Sequence, residues 1–323
     1  MKKILITGGA GLLGQNLVRK FLAENYEVHA TQFTMGTRKI TLTHPNLKVY
    51  PCDLKDYNVC LELCKDKDLV VHGAAYIKGA KGQLENPISL IRNNLLPTIN
   101  IMEASCEKKV PKFAFIGSST MYPDVPYPVG EDEAFVGEPP AMYTGVGWWK
   151  RYTEKMAAYY HKITSTKFIV VRTTAMYGPY DIFDISRSHV VPSLIMKCSR
   201  KDDPLEVWGN GTQVRDFIFI EDFVEGLMLA INKSDKYLTT EVVPINIASG
   251  EPTSIYKLVN TTTSAYKYTP TLNFNNSMPI MIHSRLVSTQ KAIDLLGWRA
   301  KTTLVEGIKR TVEWYENEKE NIT

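Results

Sequence analysis

A short apolar run near the start of the chain, Lys3–Thr7, ends in a cluster of glycines, Thr7-Gly8-Gly9-Ala10-Gly11-Leu12-Leu13-Gly14. Helical periodicity then holds over Leu12–Asn25. Few folds accommodate a buried strand, a glycine turn and a helix in so little chain. One glycine permits the tight turn, a second lets backbone approach a pyrophosphate, and a third lets helix and strand pack closely. The helix N-terminus then faces the phosphate charge. In isolation such a triplet is an ordinary turn. At this first strand–helix junction it predicts a dinucleotide cradle of Gly8, Gly11 and Gly14, with Leu12 and Leu13 at its rim.

The alternation continues. Val28–Gln32 and Leu47–Tyr50 read as strands, Tyr57–Lys65 as helix, Leu69–Ala74 as strand and Ile88–Glu107 as a long helix. Lys112–Ile116 is a strand running into Gly117-Ser118-Ser119, Trp148–Lys162 a helix and Phe168–Arg172 a sixth strand. This βαβα rhythm predicts an α/β fold, a Rossmann-type doubly wound parallel sheet with right-handed crossovers. Beyond about residue 175 the rhythm weakens. Val190–Ser199, Asp222–Asn232 and the amphipathic Leu304–Glu316 look helical, Glu206–Trp208, Phe217–Ile220 and Val243–Ile247 look like short strands, and Leu286–Leu296 lies near the end. With 323 residues, 44% apolar and 22% charged, the chain suits one large domain or two intimate ones. We expect residues 1–175 to form an NAD(P)-binding domain to which later segments return. Residues 176–323 then form a smaller C-terminal substrate-binding lobe.

A net charge of +4 gives no reason to expect a nucleic-acid partner and suits an anionic small substrate. The cysteines Cys52, Cys60, Cys64, Cys106 and Cys198 are odd in number and lack CxxC spacing, which argues against disulfides or zinc and for a reducing compartment. Cys60 and Cys64 read as buried small side chains rather than a metal pair, and no metal is expected. No run approaches the roughly 20 apolar residues that span a bilayer, and the first one meets glycine too soon for a signal peptide. A cytoplasmic location without membrane contact is expected.

A dinucleotide site selecting NAD usually carries an acid at the end of the second strand, on the ribose diol. Here Val28-His29-Ala30-Thr31-Gln32 offers none, and Arg38 and Lys39 follow. They either reach a 2′-phosphate, which favours NADP over NAD, or are two solvated loop cations. Asp53, after the third strand, is placed to meet the adenine amino group.

The glycine spacing, Asp53-Leu54, Gly73-Ala74-Ala75, Asn94, Gly117-Ser118-Ser119 and Tyr177-Gly178-Pro179 occur in the order found in one family. Together they resemble the extended short-chain dehydrogenase/reductases of the NAD-dependent epimerase/dehydratase family, which act on nucleotide sugars. Four further stretches are similar to its GDP-fucose synthase group. They are Ser118-Ser119-Thr120-Met121-Tyr122-Pro123, Ser188-His189-Val190-Val191-Pro192, Val207-Trp208-Gly209-Asn210-Gly211 and Arg215-Asp216-Phe217 with Asp222. The resemblance spans nearly the whole chain. It implies that Leu54, Ala74, Ala75 and Asn94 line the cofactor, and that Ser119, His189, Val190, Trp208, Arg215 and Arg285 face a nucleotide sugar.

It also implies a Ser/Thr–Tyr–Lys centre with Tyr-x-x-x-Lys spacing, which puts both side chains on one helix face. Ser118 matches the serine. Lys150 matches the lysine, which holds the nicotinamide ribose. The tyrosine position is Val146; Tyr143 stands one turn earlier, and its own lysine position would be Gly147. The cysteine that the fucose synthases use for epimerisation is Thr120, while their histidine persists as His189. The carboxylates of the 4,6-dehydratases are absent from Ser119-Thr120-Met121, so dehydration is not expected. An asparagine before Tyr177 is replaced by Ala175. Arg215 and Arg285 either grip a diphosphate or form surface ion pairs, and Trp208 either lines the nucleotide pocket or belongs to the core.

The expected activity is NAD(P)-dependent 4-keto reduction of a GDP-linked deoxyhexose or heptose, with Ser118 orienting the oxygen and Tyr143 or a water supplying the proton. The alternatives are a C4 epimerase or dehydrogenase with tightly held NAD, and a nucleotide-binding protein without turnover. In the resembled enzymes the helices matching Ile88–Glu107 and Trp148–Lys162 pair across a two-fold axis, so a homodimer is expected, with Trp148, Trp149, Tyr152, Tyr159 and Tyr160 serving core and interface.

Overall fold

Residues 1–76, 87–278 and 280–322 are described by the computed structural model. Strands β1 (Lys3–Thr7), β2 (Glu27–Phe33), β3 (Leu47–Cys52), β4 (Leu69–His72), β5 (Lys112–Ser118) and β6 (Lys167–Thr173) alternate with helices α1 (Leu12–Ala23), α2 (Tyr57–Cys64), α3 (Pro87–Glu107) and α4 (Thr144–Ile163). A seventh strand joins their sheet from far along the chain, β10 (Ile245–Ile247), after β7 (Ala175–Tyr177), β8 (Leu205–Trp208) and β9 (Val214–Phe219). The order is β10-β6-β5-β4-β1-β2-β3, and every pairing is parallel. The Rossmann-type sheet read from the sequence is therefore present.

Its central strands are apolar throughout because both faces are covered. Ile4, Ile6 and Val71 pack against Leu17, Val18 and Phe21 of α1 and against Phe223 and Leu227 of a later helix, α6 (Ile220–Tyr237), which follows α5 (Val190–Ser199). Leu5, Val70 and Phe113 face the other way, onto Cys60 and Cys64 of α2, Ile101 and Met102 of α3 and Trp149 and Ala157 of α4. Cys60 and Cys64 are fully buried free thiols, pushed up to about 12 and about 11 by burial. The strand order reverses between β1 and β4, and a crevice at the carboxyl ends of strands at such a point is the usual ligand site of an open α/β sheet.

The remaining elements are β11 (Pro252–Ser254), α7 (Ile255–Ala265), β12 (Leu272–Asn275), β13 (Ser284–Arg285), α8 (Gln290–Leu296) and α9 (Leu304–Ile322). In a second sheet β9 pairs with β7, β11 and β13, and β8 pairs with β12 in a separate two-stranded sheet. Beneath them Tyr177, Leu194, Phe217, Leu258, Ile308 and Val312 form a separate core. The sequence reading lacks β7, β11, α7, β12 and β13. The strands are too short to show a period, and α7 (IYKLVNTTTSA) carries three threonines that weaken a helical reading. What starts α7 is the Ser254 hydroxyl, which accepts from the Lys257 amide at 3.1 Å. Leu286–Leu296, left without an element in the sequence reading, is part extended and part helix. Residues 286–288 bond Val129 through their backbone, and α8 begins only at Gln290. Among the described residues no helix is long and apolar enough to cross a membrane.

Candidate active site

The glycine turn is shaped by contacts that leave no room for side chains. Gly8 has φ +70°, and a Cβ there would lie 2.6 Å from the Ala74 Cα. A Cβ on Gly14 would lie 2.1 Å from the Gly8 carbonyl oxygen, so the first turn of α1 rests directly on the loop. Gly11 is the N-cap of α1, and a Cβ there would meet nothing nearer than that same oxygen at 3.4 Å. Its outer side is open, toward the place a pyrophosphate would take. These residues fit a dinucleotide.

At the end of β2 the expected acid is replaced by side chains with structural tasks. Thr31 accepts from the Gly8 amide through its hydroxyl at 3.1 Å and from the Gly9 amide through its carbonyl at 2.7 Å. Gln32 Oε1 accepts from the Ile40 amide at 3.0 Å. Arg38 donates to the Tyr180 carbonyl, and burial lowers its pKa while the neighbouring Asp181 opposes that shift. Lys39 is exposed. Asp53 accepts from the Lys55 amide at 3.0 Å and pairs with the Lys55 ammonium at 3.3 Å. Leu54 is buried and Ala75 exposed. Asn94 spends its amide on backbone, accepting from Tyr76 N at 2.8 Å and donating to Tyr76 O at 3.0 Å and Leu90 O at 2.7 Å. It braces the segment after β4.

A second brace escaped the sequence reading. His72 is buried at the end of β4, with Nδ1 2.8 Å from the Thr7 hydroxyl and Nε2 2.9 Å from the Thr98 hydroxyl. Thr98 donates to Asn94 O at 2.6 Å, so it accepts from Nε2–H; Thr7 in turn donates to Nδ1 while accepting from the Ala74 amide at 3.2 Å. Burial first, and the Lys150 charge second, push His72 down to about 3, so it stays neutral and the chain keeps one direction.

At the end of β5 the Ser118 hydroxyl caps a single turn, accepting from the Thr120 amide at 3.2 Å and from the Thr120 hydroxyl at 3.0 Å. Helix α4 docks on this turn through Gly147, where a Cβ would lie 2.9 Å from Thr120 O and 2.6 Å from the Pro139 Cβ. One turn on, Lys150 reaches inward to donate to Ile116 O at 2.5 Å, with its Nζ 4.2 Å from the Trp149 ring and 4.8 Å from the Phe115 ring. Among the described residues no carboxylate compensates the burial, which pushes Lys150 down to about 7. Val146 packs on the apolar core of that sheet face. The tyrosine position is thus filled by packing. Tyr143 lies just before α4, as its N-cap.

Tyr143 instead belongs with the arginines. Arg285 stands 5.1 Å over its ring, and Arg285 Nη1 donates to Ser119 O at 2.6 Å and to Tyr122 O at 3.1 Å. Arg285 Nε and Nη2 are buried and bond no acceptor among the described residues. Burial, helped by the Arg215 charge and opposed by Tyr143 and Asp124, holds Arg285 down at about 10. Arg215 is held by the carbonyls of Val214 at 2.8 Å, His283 at 3.1 Å, Ile280 at 3.2 Å and Ile282 at 2.7 Å. Among the described residues neither arginine forms an ion pair. Trp208 is half-buried at the end of β8 and bonds Glu206. His189 is exposed at the N-cap of α5, Val190 is half-buried behind it, and the buried Asp181 lies in the field of both His189 and Arg38. Ala175 is exposed at the start of β7.

Behind the turn lies a buried network without a sequence motif. Arg172 donates to Glu154 Oε2 at 3.0 Å, to the Tyr122 hydroxyl at 2.7 Å and to Glu131 O at 2.7 Å. Tyr122 donates to Asn246 Oδ1 at 2.6 Å, and the Asn246 amide donates to Glu131 Oε1 at 2.8 Å. It ties β6, β10 and α4 to the residues that follow Ser118.

Known proteins share this architecture over almost its full length. The sequence profile of the NAD dependent epimerase/dehydratase family matches residues 4–248. A GDP-L-fucose synthase of Sinorhizobium fredii is 31% identical, over 97% of this chain and 95% of its own. A GDP-L-colitose synthase of Yersinia pseudotuberculosis is 26% identical over 99% of both chains. A UDP-glucuronic acid 4-epimerase of Bacillus cereus, solved with UDP-glucuronic acid and NAD, superposes with a TM-score of 0.84 at 25% identity, covering 98% of this chain and 99% of its own.

Proposed function

Because the chain belongs to the NAD-dependent epimerase/dehydratase family of extended short-chain dehydrogenase/reductases, we propose that it reduces the 4-keto group of a GDP-linked deoxyhexose or heptose with NADPH. The observation that carries this reading is the centre at the end of β5. It keeps the Ser118 hydroxyl and the desolvated Lys150, and at the cysteine position it has a threonine whose proton is already donated to Ser118. Such a hydroxyl is no base for moving protons beside a ketone. This supports hydride transfer at C4 and speaks against epimerisation at C3 and C5, which needs such a base.

Bound nicotinamide supplies the hydride. Gly8, Gly11 and Gly14 shape the pyrophosphate cradle, with Leu12, Leu13, Ala74 and Ala75 around it and Asp53 at the adenine. Lys150 holds the nicotinamide ribose, and its low pKa makes it a ready donor of that hydrogen bond. Ser118 orients the sugar oxygen. Arg215 and Arg285, with Ser119, His189, Val190 and Trp208, meet the nucleotide sugar. The unspent Nε and Nη2 of Arg285 are the natural contacts for a diphosphate. The proton reaches the sugar oxygen from Tyr143 or from water entering over Val146.

Selection of NADP is supported by the neutral end of β2 and by Arg38. Arg38→Ala should weaken NADPH binding at least tenfold and leave NADH unchanged, as read by fluorescence titration; equal losses for both would return the site to NAD. Incubation with GDP-4-keto-6-deoxy-mannose should consume NADPH, and absence of consumption with GDP-, UDP- and dTDP-linked keto sugars alike would overturn the reading. The alternative of a C4 epimerase draws on the NAD-containing relative; protein that purifies with NAD(H) bound would favour it.

A further inference from the structure

Thr120 stands where the resembled synthases carry an acid–base cysteine, yet its geometry assigns it a different task. A hydroxyl has one proton and two acceptor directions. At Ser118 both acceptor directions are occupied, one by the Thr120 amide at 3.2 Å and the other by the Thr120 hydroxyl at 3.0 Å. The Ser118 proton therefore points away from its own turn. Among the described residues it meets no acceptor. Ser118 is half-buried and stands at the carboxyl end of β5, the end of the sheet where an open α/β fold takes its ligand.

We infer that Thr120 is a positioning residue that fixes Ser118 as an obligate hydrogen-bond donor to the oxygen of the carbonyl being reduced. The inference rests on the reductase reading for the identity of that oxygen. Donation by Thr120 polarises the Ser118 O–H, and hydrogen bonds in such a chain strengthen one another. The benefit grows as the carbonyl oxygen gains negative charge, so it favours the transition state over bound substrate. No proton need leave Ser118 for this to operate.

The turn is held firmly enough for the direction to be kept. Arg285 clamps Ser119 O and Tyr122 O, and α4 brings Gly147 close against Thr120 O. These contacts fix the backbone of the turn and with it the Thr120 amide, leaving its hydroxyl within reach of Ser118. The arrangement also makes up part of what Val146 lacks. With no phenol at that position, more of the binding of the oxygen falls to Ser118, and a serine free to rotate would spend part of its time as an acceptor.

Thr120→Val preserves shape and removes the side-chain donor, Thr120→Ser restores it, and Ser118→Ala removes the group that Thr120 orients. With the keto-sugar substrate, Thr120→Val should lower kcat roughly tenfold with KM for sugar and NADPH little changed, since a donor felt chiefly in the transition state is lost only in part. Thr120→Ser should recover most of that loss. In a Ser118→Ala background the Thr120→Val change should add little, because the two act as one unit. Equal losses in both backgrounds, or no loss in either, would overturn the inference, as would a rise in KM alone. Neutron diffraction from deuterated crystals reads the same point without turnover. The expected map has the Thr120 deuteron on the line to Ser118 Oγ and the Ser118 deuteron directed into the crevice. A Ser118 deuteron on the line to Thr120 overturns the orientation, even if no keto sugar proves to be a substrate and the reductase reading falls by itself.

Discussion

Lys150 concentrates the conflict between stability and function into one side chain. Its ammonium lies against Ile116 O and two aromatic rings, with no carboxylate beside it among the described residues, so burial holds its pKa at about 7 instead of 10.5. Below about pH 7 the folded protein carries this buried charge in full. Between about pH 7 and 10 the folded state gives up the proton while the unfolded chain keeps it, so wild-type stability rises relative to a variant without the group. Lys150→Met should therefore raise the melting temperature of the cofactor-free protein by about 2 °C near pH 6, with the gain shrinking toward pH 10, and should abolish most turnover. Calorimetry at several pH values checks the slope, and a gain that grows with pH would contradict the assignment. Lysine in a recognised helix position is legible in sequence, and so were Ser118 and the glycines. His72 and Thr31 were not, because their roles depend on partners across the sheet, Thr98 and the Gly8 turn, that no local pattern specifies.

At the scale of elements, the junction between the end of β5 and the start of α4 matters most. The helix begins at Thr144, four residues before the apolar pattern suggests, because Tyr143 and the preceding turn Ala141–Tyr143 lead straight into it. Its placement depends on Gly147, whose missing side chain lets Thr120 O and Pro139 approach. Gly147→Ala puts a methyl 2.6 Å from the Pro139 Cβ, so α4 must shift. We expect a loss of about 1–3 kcal/mol in urea unfolding. We also expect a larger relative loss of kcat than of NADPH affinity, since Lys150 and Ser118 move apart while the cradle at Gly8 stays. An unchanged kcat would mean that the helix absorbs the methyl elsewhere. Long elements with both faces or one stripe buried announced themselves in the sequence, and β1 to β6 with α1 and α3 lie within a few residues of the reading. The two- to four-residue strands β7, β11, β12 and β13 owe their existence to distant partners. Pairing Ser284 with Val214 across seventy residues leaves no trace in a local period.

For the molecule as a whole, α3 and α4 present a second face that the fold does not cover. Inside the subunit they are joined by the Tyr160 hydroxyl donating to Glu103 at 2.8 Å, and Trp149 and Ala157 are buried against Ile101 and Met102. Trp149 and Tyr160 are thereby spent on the interior. Outward point Trp148, Tyr152, Tyr159 and Ile163 of α4, spaced to fall on one helix face, together with Ile88, Ile91 and Leu96 of α3. Ile88 is 80% exposed, Ile163 58% and Tyr159 55%, more apolar surface than a lone subunit usually leaves in one patch. Two such helices meeting their own copies across a two-fold axis would bury each residue against an equivalent surface, which only an isologous contact allows. The charge pattern permits it, since the exposed cations of α4 have partners within their own subunit: Lys155 lies 4.1 Å over the Phe135 ring and Lys162 pairs with Glu241 at 3.5 Å. We therefore expect a homodimer in sedimentation experiments. Tyr152→Glu combined with Tyr159→Glu should convert it to monomers, because four carboxylates would be buried without partners. The variant should still bind NADPH, for these positions point away from the glycine cradle. A wild-type protein that sediments as a single subunit at micromolar concentration would leave this face for some other partner and remove the dimer from the account.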